Sequence, residues 1–361
     1  MKVEKSEIMT KLSSLGSHVL SCIEKDENPW IDIPIRSFSN IEFNDDSGLL
    51  NLGEKKSRRY FLNLAHAKKF MQTTLVAAFC KGLLHENVHA NLRELFYSLK
   101  HTVGGTKENT FDEQRESDPI VVDLEVSLDI LREEMYVNAD RRGVAAGNVT
   151  ILDRGDTINW SKLGSGGWSI PSNVEDLELK SAQADYILVV EKNATFDRLH
   201  EDKYWERHNC ILVGTQGQAA RGIRRLIRRL HEQFNLPVYV FADCDAYGFY
   251  IYSVIKIGSM NLAHVSQKLG TPSAKFLGLT MTDIENYGLE NYTITATEND
   301  LKRVDELAKY SWFSSKKWQI ELSKMKKKRI KAEQEALASK RLKFVSEEYL
   351  PQKISSKDFV E

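Results

Sequence analysis

The sequence predicts a multidomain α/β protein in which a mainly helical N-terminal part precedes a domain built on a parallel sheet. Two short runs of β-branched and aromatic residues, Tyr186–Val190 and Val238–Phe241, have the composition of buried strands. Predicted helices alternate with these strands and with a third one over residues 210–213. In the first half of the chain, by contrast, apolar residues recur mainly at helical spacing.

Composition narrows the kinds of partner that the protein can bind and the cellular compartment in which it is expected. The 361 residues include 50 basic and 51 acidic side chains, a net charge of −1, so any binding of nucleic acid must come from local patches. The four cysteines form no C-x-x-C pair, which argues against a zinc ribbon or a disulfide framework and favours a reducing compartment. Because the N-terminal residues lack an apolar segment and no apolar run approaches membrane-spanning length, we expect a cytoplasmic protein without a membrane partner.

The N-terminal region predicts a helix and a hairpin. Apolar residues at helical spacing over residues 1–25 indicate an amphipathic helix, which either packs on its own chain or docks a partner. From Trp30 to Leu52 the pattern alternates, and Asp45–Gly48 is a turn signal between two strands.

Three predicted helices followed by a glycine-punctuated β-ribbon give the order of a winged helix-turn-helix. The helices cover residues 63–86, 91–101 and 119–135, and the ribbon covers 139–152. Arg141 and Arg142 could contact phosphates from this ribbon, although exposed arginines are more often only solvated. With a boundary at the loop Gly164–Pro171, the predicted domains are residues 1–62, 63–155 and 165–361, the last with a C-terminal helical extension.

Acidic side chains follow the two strands named first. Glu191 comes directly after one strand, and Asp243 and Asp245 follow the other. Ligands collect at the carboxyl ends of parallel strands, and Mg²⁺ prefers a few carboxylate oxygens. The pattern therefore predicts a metal site made of these three acids, against the alternative that each aspartate is a turn former or a helix N-cap.

Two basic segments leave two interpretations open. Five arginines lie on the predicted helix of residues 219–234, and a lysine-rich helix follows residue 312. Each is either a solvated helix face or a surface that contacts DNA phosphates.

The chain contains one candidate nucleophile motif but no nucleotide-binding motif. It has no P-loop and no dinucleotide fingerprint, so ATP-driven work would need another chain. In R-E-L-F-Y, Arg93 and Tyr97 are four residues apart and share one helix face, where a guanidinium could support a tyrosine nucleophile. The alternative is that Tyr97 is a core residue.

The chain resembles the A subunits of archaeal type IIB DNA topoisomerases (topoisomerase VI) and their eukaryotic relative that makes meiotic double-strand breaks. The resemblance spans nearly the whole length and rests on R-E-L-F-Y, on V-V-E-K at 189–192, and on D-C-D-A-Y-G at 243–248 with the I-Y-S-V-I-K-I-G-S that follows. It implies a winged-helix domain like those of catabolite activator proteins, followed by a Toprim domain. Relatives often have consecutive tyrosines where this chain has Phe96-Tyr97, and proline where it has Ala246.

The resemblance also implies roles and partners. Tyr97 would become linked to a 5′ phosphate of double-stranded DNA and Arg93 would stabilise the developing charge. Glu191 and Asp243 would hold Mg²⁺, while Asp245 would assist or hold a second ion. A homodimer would pair the tyrosine of one protomer with the acids of the other, and a B subunit would hydrolyse ATP in an A₂B₂ assembly associated with the nucleoid.

The sequence leaves two other functions open. The first is a Toprim nuclease or a recombination break-maker that cuts DNA without strand passage. The second is a non-catalytic DNA-binding subunit, which the presence of the tyrosine and all three acids disfavours.

Overall fold

The computed structural model describes residues 4–361, which form two compact units, each with its own hydrophobic core. The first unit consists of the chain up to Glu42, Asn51–Asp140 and Met260–Val265, and the second of Phe43–Leu50, Arg141–Ser259 and Ser266–Glu361. Residues 1–3, which the predicted N-terminal helix included, lie outside the described residues. None of the helices within residues 4–361 is both long enough and apolar enough to cross a membrane.

Helices dominate the chain up to residue 140. They are α1 (Lys5–Glu24), α2 (Leu64–Glu86), α3 (Leu92–Leu99) and α4 (Gln114–Leu128). Short strands accompany them, namely β1 (Trp30–Pro34), β2 (Ile41–Asn44), β3 (Leu49–Leu52), β4 (Lys56–Tyr60), β5 (Ala90–Asn91) and β6 (Val137–Asn138). They form the pairs β1–β4, β2–β3 and β5–β6.

Local sequence explains where these helices begin and end. The Asn63 side chain accepts the Ala65 N–H and starts α2, and Asn87 ends it in a left-handed conformation. The predicted helix over residues 63–86 is thus confirmed. The third predicted helix was placed wrongly, because α4 begins at Gln114, continues through Pro119 and ends where Asp129 turns left-handed. The predicted hairpin with its turn near Asp45–Gly48 is confirmed by the β2–β3 pair.

The second unit is built on a six-stranded sheet, whose strands in spatial order are β10 (Trp168–Ser169), β7 (Val144–Ala146), β13 (Cys210–Gly214), β12 (Tyr186–Val190), β14 (Val238–Phe241) and β15 (Lys275–Gly278). Strands β12 to β15 run parallel, and β7 and β10 add an antiparallel side. All five residues of β12 are buried, as expected for a strand covered on both faces. The predicted parallel sheet is confirmed. The other strands of this unit are β8 (Val149–Asp153), β9 (Asp156–Asn159), β11 (Glu178–Ala182), β16 (Ile294–Thr295) and β17 (Ile330–Lys331).

Helices cover this sheet and extend beyond it. They are α5 (Asn193–Glu201), α6 (Tyr204–Arg207), α7 (Arg221–Phe234), α8 (Ala246–Ile257), α9 (Ser266–Leu269), α10 (Met281–Asn286), α11 (Glu298–Leu307), α12 (Lys316–Lys328) and α13 (Leu350–Ser355). The C-terminal extension belongs to the same core, because Trp318 of α12 is buried against Phe249 and Phe276.

The ribbon predicted over residues 139–152 does not form a wing on the helical unit. Its first strand, β7, pairs with β13 in the large sheet, with Val144 opposite Gly214. Its second strand, β8, joins β9 and β11 in a separate three-stranded sheet. The division between the units therefore falls at Asp140–Arg141, whereas the predicted second domain extends to residue 155. Alternation of apolar residues had indicated strands correctly but could not indicate their partners.

Candidate functional site

Helix α3 presents Tyr97 and Arg93 to solvent. A capping box starts this helix, since the Asn91 side chain accepts the Glu94 N–H and the Glu94 carboxylate accepts the Asn91 N–H. Leu95 and its neighbours Phe96 and Leu99 face the core of the first unit. The helix is therefore anchored at its start and along one side, which fixes the direction of the exposed side chains.

The exposure of the two aromatic neighbours identifies the candidate nucleophile. Tyr97 is 66% exposed, whereas Phe96 is 6% exposed. The interpretation of Tyr97 as a core residue is therefore wrong. Arg93 lies one turn before it and is also exposed, and the described residues provide it with no ion pair.

Glu191 and Asp243 lie side by side at the carboxyl edge of the parallel sheet. Strands β12 and β14 are neighbours in register, with Val190 opposite Phe241, so the acids that follow them end at the same edge. The Asp243 N–H donates to Glu191 Oε2 over 3.0 Å, which joins the two strand ends directly. Two acids that are distant in the sequence thus form one acidic corner, made of Glu191 and Asp243.

A distant segment closes this corner around Asp243. The Gln334 N–H donates to Asp243 Oδ1 over 2.9 Å. The neighbouring residue Cys244 exchanges two backbone hydrogen bonds with Ala332, at 2.9 and 3.1 Å. On the other oxygen, Lys192 Nζ lies 3.3 Å from Asp243 Oδ2. Asp243 is therefore buried but has partners at both carboxylate oxygens.

Asp245 has the structural role that was the alternative to metal binding. Its Oδ1 accepts the Gly248 N–H over 2.7 Å and caps the start of α8. Gly248 is required here, because a Cβ at this position would overlap the backbone carbonyl of Asp243. The described residues contain no group of three or more His, Cys, Asp or Glu side chains placed to hold one metal ion together. The structure thus brings together Glu191 and Asp243, with Asp245 occupied as a cap.

Burial gives the acids unusual protonation behaviour. Burial and then repulsion from Asp243 raise the pKa of Glu191 to about 7. Burial raises the pKa of Asp243 to about 6, and burial also raises the pKa of Asp245. Burial alone would lower the pKa of Lys192, but Asp243, Glu333 and Glu335 raise it above its usual range. Burial disfavours the ionised form of these carboxyl groups, and a bound divalent cation would offset that negative charge. Carboxylate oxygens are also the ligands that Mg²⁺ prefers, so the pair fits a site for Mg²⁺.

Replacement of Glu191 by glutamine is expected to stabilise the protein in EDTA at pH 8 by roughly 1–3 kcal/mol. Below its ordinary pKa of 4.5 the carboxyl is protonated in both the folded and unfolded states. Between that pH and its folded pKa of about 7, the unfolded state releases the proton first, so wild-type stability falls as pH rises. The Tm difference between the two proteins should therefore grow from pH 4.5 to pH 8.

The control for this measurement is Glu206→Gln, because Glu206 is an exposed acid of the same unit. Its Tm relative to wild type should change little with pH. A Glu191→Gln effect that is constant across this pH range would contradict the burial cost assigned to the Glu191 carboxylate.

DNA contact was one of two interpretations for the basic helices, and most of their basic side chains have partners within the protein. In α7, Arg225 pairs with Glu175, and Arg229 donates to the carbonyl oxygens of Val174 and Leu177. In α12 and just after it, the ion pairs are Lys324 and Lys328 with Glu285, Lys326 with Asp305, and Arg329 with Glu298. These pairs favour the structural interpretation. Arg141 and Arg142, by contrast, are exposed and have no ion pair among residues 4–361.

Sequence reasoning missed the residues that surround the Asp243 carboxylate. Lys192 was visible in V-V-E-K, where its place beside an acid was a usable signal. Gln334 and the flanking Glu333 and Glu335 gave no such signal, because their proximity to Asp243 depends on a contact between segments distant in the chain.

Three protein-family models match consecutive segments of the chain. Residues 68–137 match the model described as type IIB DNA topoisomerase. Residues 143–183 match the all-β domain of the DNA topoisomerase VI α subunit. Residues 186–354 match the Toprim domain described for the A subunit of topoisomerase 6 and for Spo11. The sheet edge with Glu191 and Asp243 therefore lies in a Toprim domain.

Curated relatives match over almost the entire chain. The A subunit of type 2 DNA topoisomerase 6 from Pyrococcus horikoshii is 50% identical over 96% of this chain and 94% of its own length. The proteins of the same name from Saccharolobus shibatae and Methanocaldococcus jannaschii are 40% and 37% identical, over 99% and 95% of this chain and 98% and 93% of their own lengths.

The Toprim fold and the matched models define a type II DNA topoisomerase, and within it the subunit that cleaves DNA. More narrowly, the chain belongs to the type IIB family that comprises the A subunits of topoisomerase 6 and Spo11. The family resemblance inferred from the motifs is confirmed.

Proposed function

We propose that this chain cleaves and rejoins duplex DNA through a covalent link between Tyr97 and a 5′ phosphate, so that a second duplex can pass through the break. The observation that carries the proposal is the exposure of Tyr97 on an anchored helix, in a family of DNA-cleaving subunits. A hydroxyl directed to solvent can reach a phosphodiester, which a core tyrosine could not.

The proposed step is a reversible transesterification. The Tyr97 hydroxyl oxygen attacks the scissile phosphorus and the bond from phosphorus to the 3′ oxygen breaks. The tyrosine proton is released and the departing 3′ oxygen takes up a proton, which leaves a free 3′ hydroxyl. Attack by that hydroxyl on the phosphotyrosine reverses the step and reseals the strand. Arg93, on the same helix face as Tyr97, is positioned to stabilise the negative charge that develops on the phosphate.

The acidic corner supports a cofactor role. Glu191 and Asp243 would hold Mg²⁺, which supplies positive charge to the phosphate when bound. Asp245 would contribute through a carboxylate oxygen or by fixing the start of α8. The buried, mutually repelling carboxylates support this assignment because a divalent cation would offset their charge.

Two features of the sequence support a second copy of this chain and a separate ATPase subunit as partners. A duplex has two strands and the motif R-E-L-F-Y occurs once in the chain, so a homodimer is needed to cut both strands. Since the sequence has no nucleotide-binding motif, ATP hydrolysis is assigned to a B subunit in an A₂B₂ assembly. The curated relatives are named as A subunits, which supports the existence of a second kind of subunit. Arg141 and Arg142 are candidates for contacts to DNA phosphates, and the site of action would be the nucleoid.

Transfer of labelled phosphate from DNA to protein tests this proposal. Plasmid DNA labelled internally with ³²P is incubated with the chain, its ATPase partner and Mg²⁺, then denatured and digested with nucleases. We expect label on the protein as phosphotyrosine, and loss of that label with EDTA or in Asp243→Ala. Cleavage that leaves the protein unlabelled would identify a hydrolytic nuclease, and DNA binding without cleavage would identify a scaffold subunit.

A further inference from the structure

Lys192 connects the buried acid Asp243 to two exposed acids. Its Nζ lies 3.3 Å from Asp243 Oδ2, 3.1 Å from Glu333 Oε2 and 3.3 Å from Glu335 Oε2. The Asp243 side chain is 9% exposed, whereas those of Glu333 and Glu335 are 54% and 44% exposed. One ammonium group is therefore shared between an interior carboxylate and a solvated pair of carboxylates.

The hydrogen bonds of Asp243 determine which of its oxygens a cation would use. Oδ1 accepts the backbone N–H of Gln334, and this bond belongs to the segment that closes the corner. Oδ2 has no backbone donor within the described part of the chain, and Lys192 is its partner. A cation bound through Oδ2 would leave the backbone contact intact but would meet the lysine ammonium.

We propose that Lys192 competes with the divalent cation for Asp243 Oδ2, and that Glu333 and Glu335 hold the ammonium when the cation binds. Lys192 is thus a positioning residue that sets metal affinity. This inference rests on the proposed function, because it takes Asp243 as a cation ligand.

The charges explain why the exchange is feasible. A divalent cation interacts with a buried carboxylate more strongly than a monovalent ammonium does, so it displaces the lysine. The ammonium then needs compensation, which two carboxylates already within contact distance provide without a large movement. Because both are exposed, these pairs are weak and easily rearranged.

The proposal predicts opposite effects for the two partners of this exchange. Lys192→Met removes the competing charge and should tighten cation binding about tenfold, a size typical of changes around a metal site. The double variant Glu333→Gln/Glu335→Gln leaves the ammonium on Asp243 and should weaken binding by a few-fold. In a Lys192→Met background the same double variant should have almost no further effect, because its influence acts through the lysine.

Binding of Mn²⁺ measured by electron paramagnetic resonance tests this without DNA or activity. The full chain is titrated at about 0.15 M salt, where distant surface charges are largely screened. Lys203→Met is the matched control, since Lys203 is a 70% exposed lysine of the same unit paired with Glu206, and it should leave the affinity unchanged. Circular dichroism would verify that each variant remains folded.

The outcomes separate this inference from the function on which it rests. Unchanged or weaker binding in Lys192→Met would overturn the competition. Equal loss of affinity in the glutamine double variant with and without Lys192 would identify Glu333 and Glu335 as direct ligands and would also overturn it. Failure of wild-type protein to bind Mn²⁺, or binding that survives Asp243→Asn, would reject the metal site itself.

Discussion

Tyr97→Phe is expected to lower the yield of covalent protein–DNA complex by about 10³-fold or more, because it removes the only atom proposed to attack the phosphate. The ring is retained, and the hydroxyl is exposed, so folding should be unaffected. The measurement is label transfer from ³²P-DNA to protein under cleavage conditions, together with DNA binding by the same preparation. Binding should persist while the adduct disappears.

Two controls make this result specific to position 97. Tyr292→Phe removes a hydroxyl from another tyrosine, 53% exposed, and should leave adduct formation unchanged. Adding Phe96→Tyr to the Tyr97→Phe chain returns one hydroxyl to this aromatic pair, but at position 96, which faces the core. We expect no recovery from this second change. Recovery, or full activity in Tyr97→Phe alone, would assign the nucleophile elsewhere.

Lys353→Met is expected to lower the Tm by about 10 °C, the equivalent of about 3–5 kcal/mol for a domain of this size. Lys353 and Asp283 are 3% and 1% exposed, and their charged atoms lie 2.9 Å apart. Burial alone would lower the pKa of Lys353, but Asp283 and Asp358 raise it, so the lysine stays charged. Without it, the Asp283 carboxylate would be buried with no opposite charge.

Thermal unfolding of matched variants would check this explanation. Lys357→Met changes an exposed lysine nearby and should shift the Tm by no more than about 1–2 °C. Lys353→Met/Asp283→Asn should recover part of the loss, because asparagine can still accept the Tyr349 hydroxyl bond that Asp283 Oδ2 accepts over 2.8 Å. If the single and double variants unfold at the same temperature, packing rather than an unpaired charge would explain the loss.

Local patterns predicted the parts of the site that depend on one segment of chain. Helical spacing placed Arg93 and Tyr97 on one face, and the structure exposes both. The apolar runs before Glu191 and Asp243 predicted two buried strands, which β12 and β14 confirm. Such features were accessible because side-chain periodicity and strand-end chemistry are local properties.

Features that depend on long-range pairing could not be predicted. The strand at Val144–Ala146 was identified, but its partner β13 was not, because alternation contains no information about pairing. The contacts of Gln334 with Asp243 and of Glu333 with Lys192 likewise join segments that are distant in the sequence. For Asp245, the sequence allowed both a cap and a ligand, and the structure shows the cap.

The backbone bridge between Cys244 and Ala332 has a consequence for the order of folding. It joins positions about 90 residues apart, so the chain must lose the conformational entropy of closing a large loop before these hydrogen bonds can form. The parallel strands β12 and β14 can pair without this closure, since the segment between them is shorter. The acidic corner is therefore expected to mature late in folding, after the sheet that carries it. A cation that needs the completed corner would bind only the native state. Its binding would therefore shift the equilibrium of the last folding step toward that state.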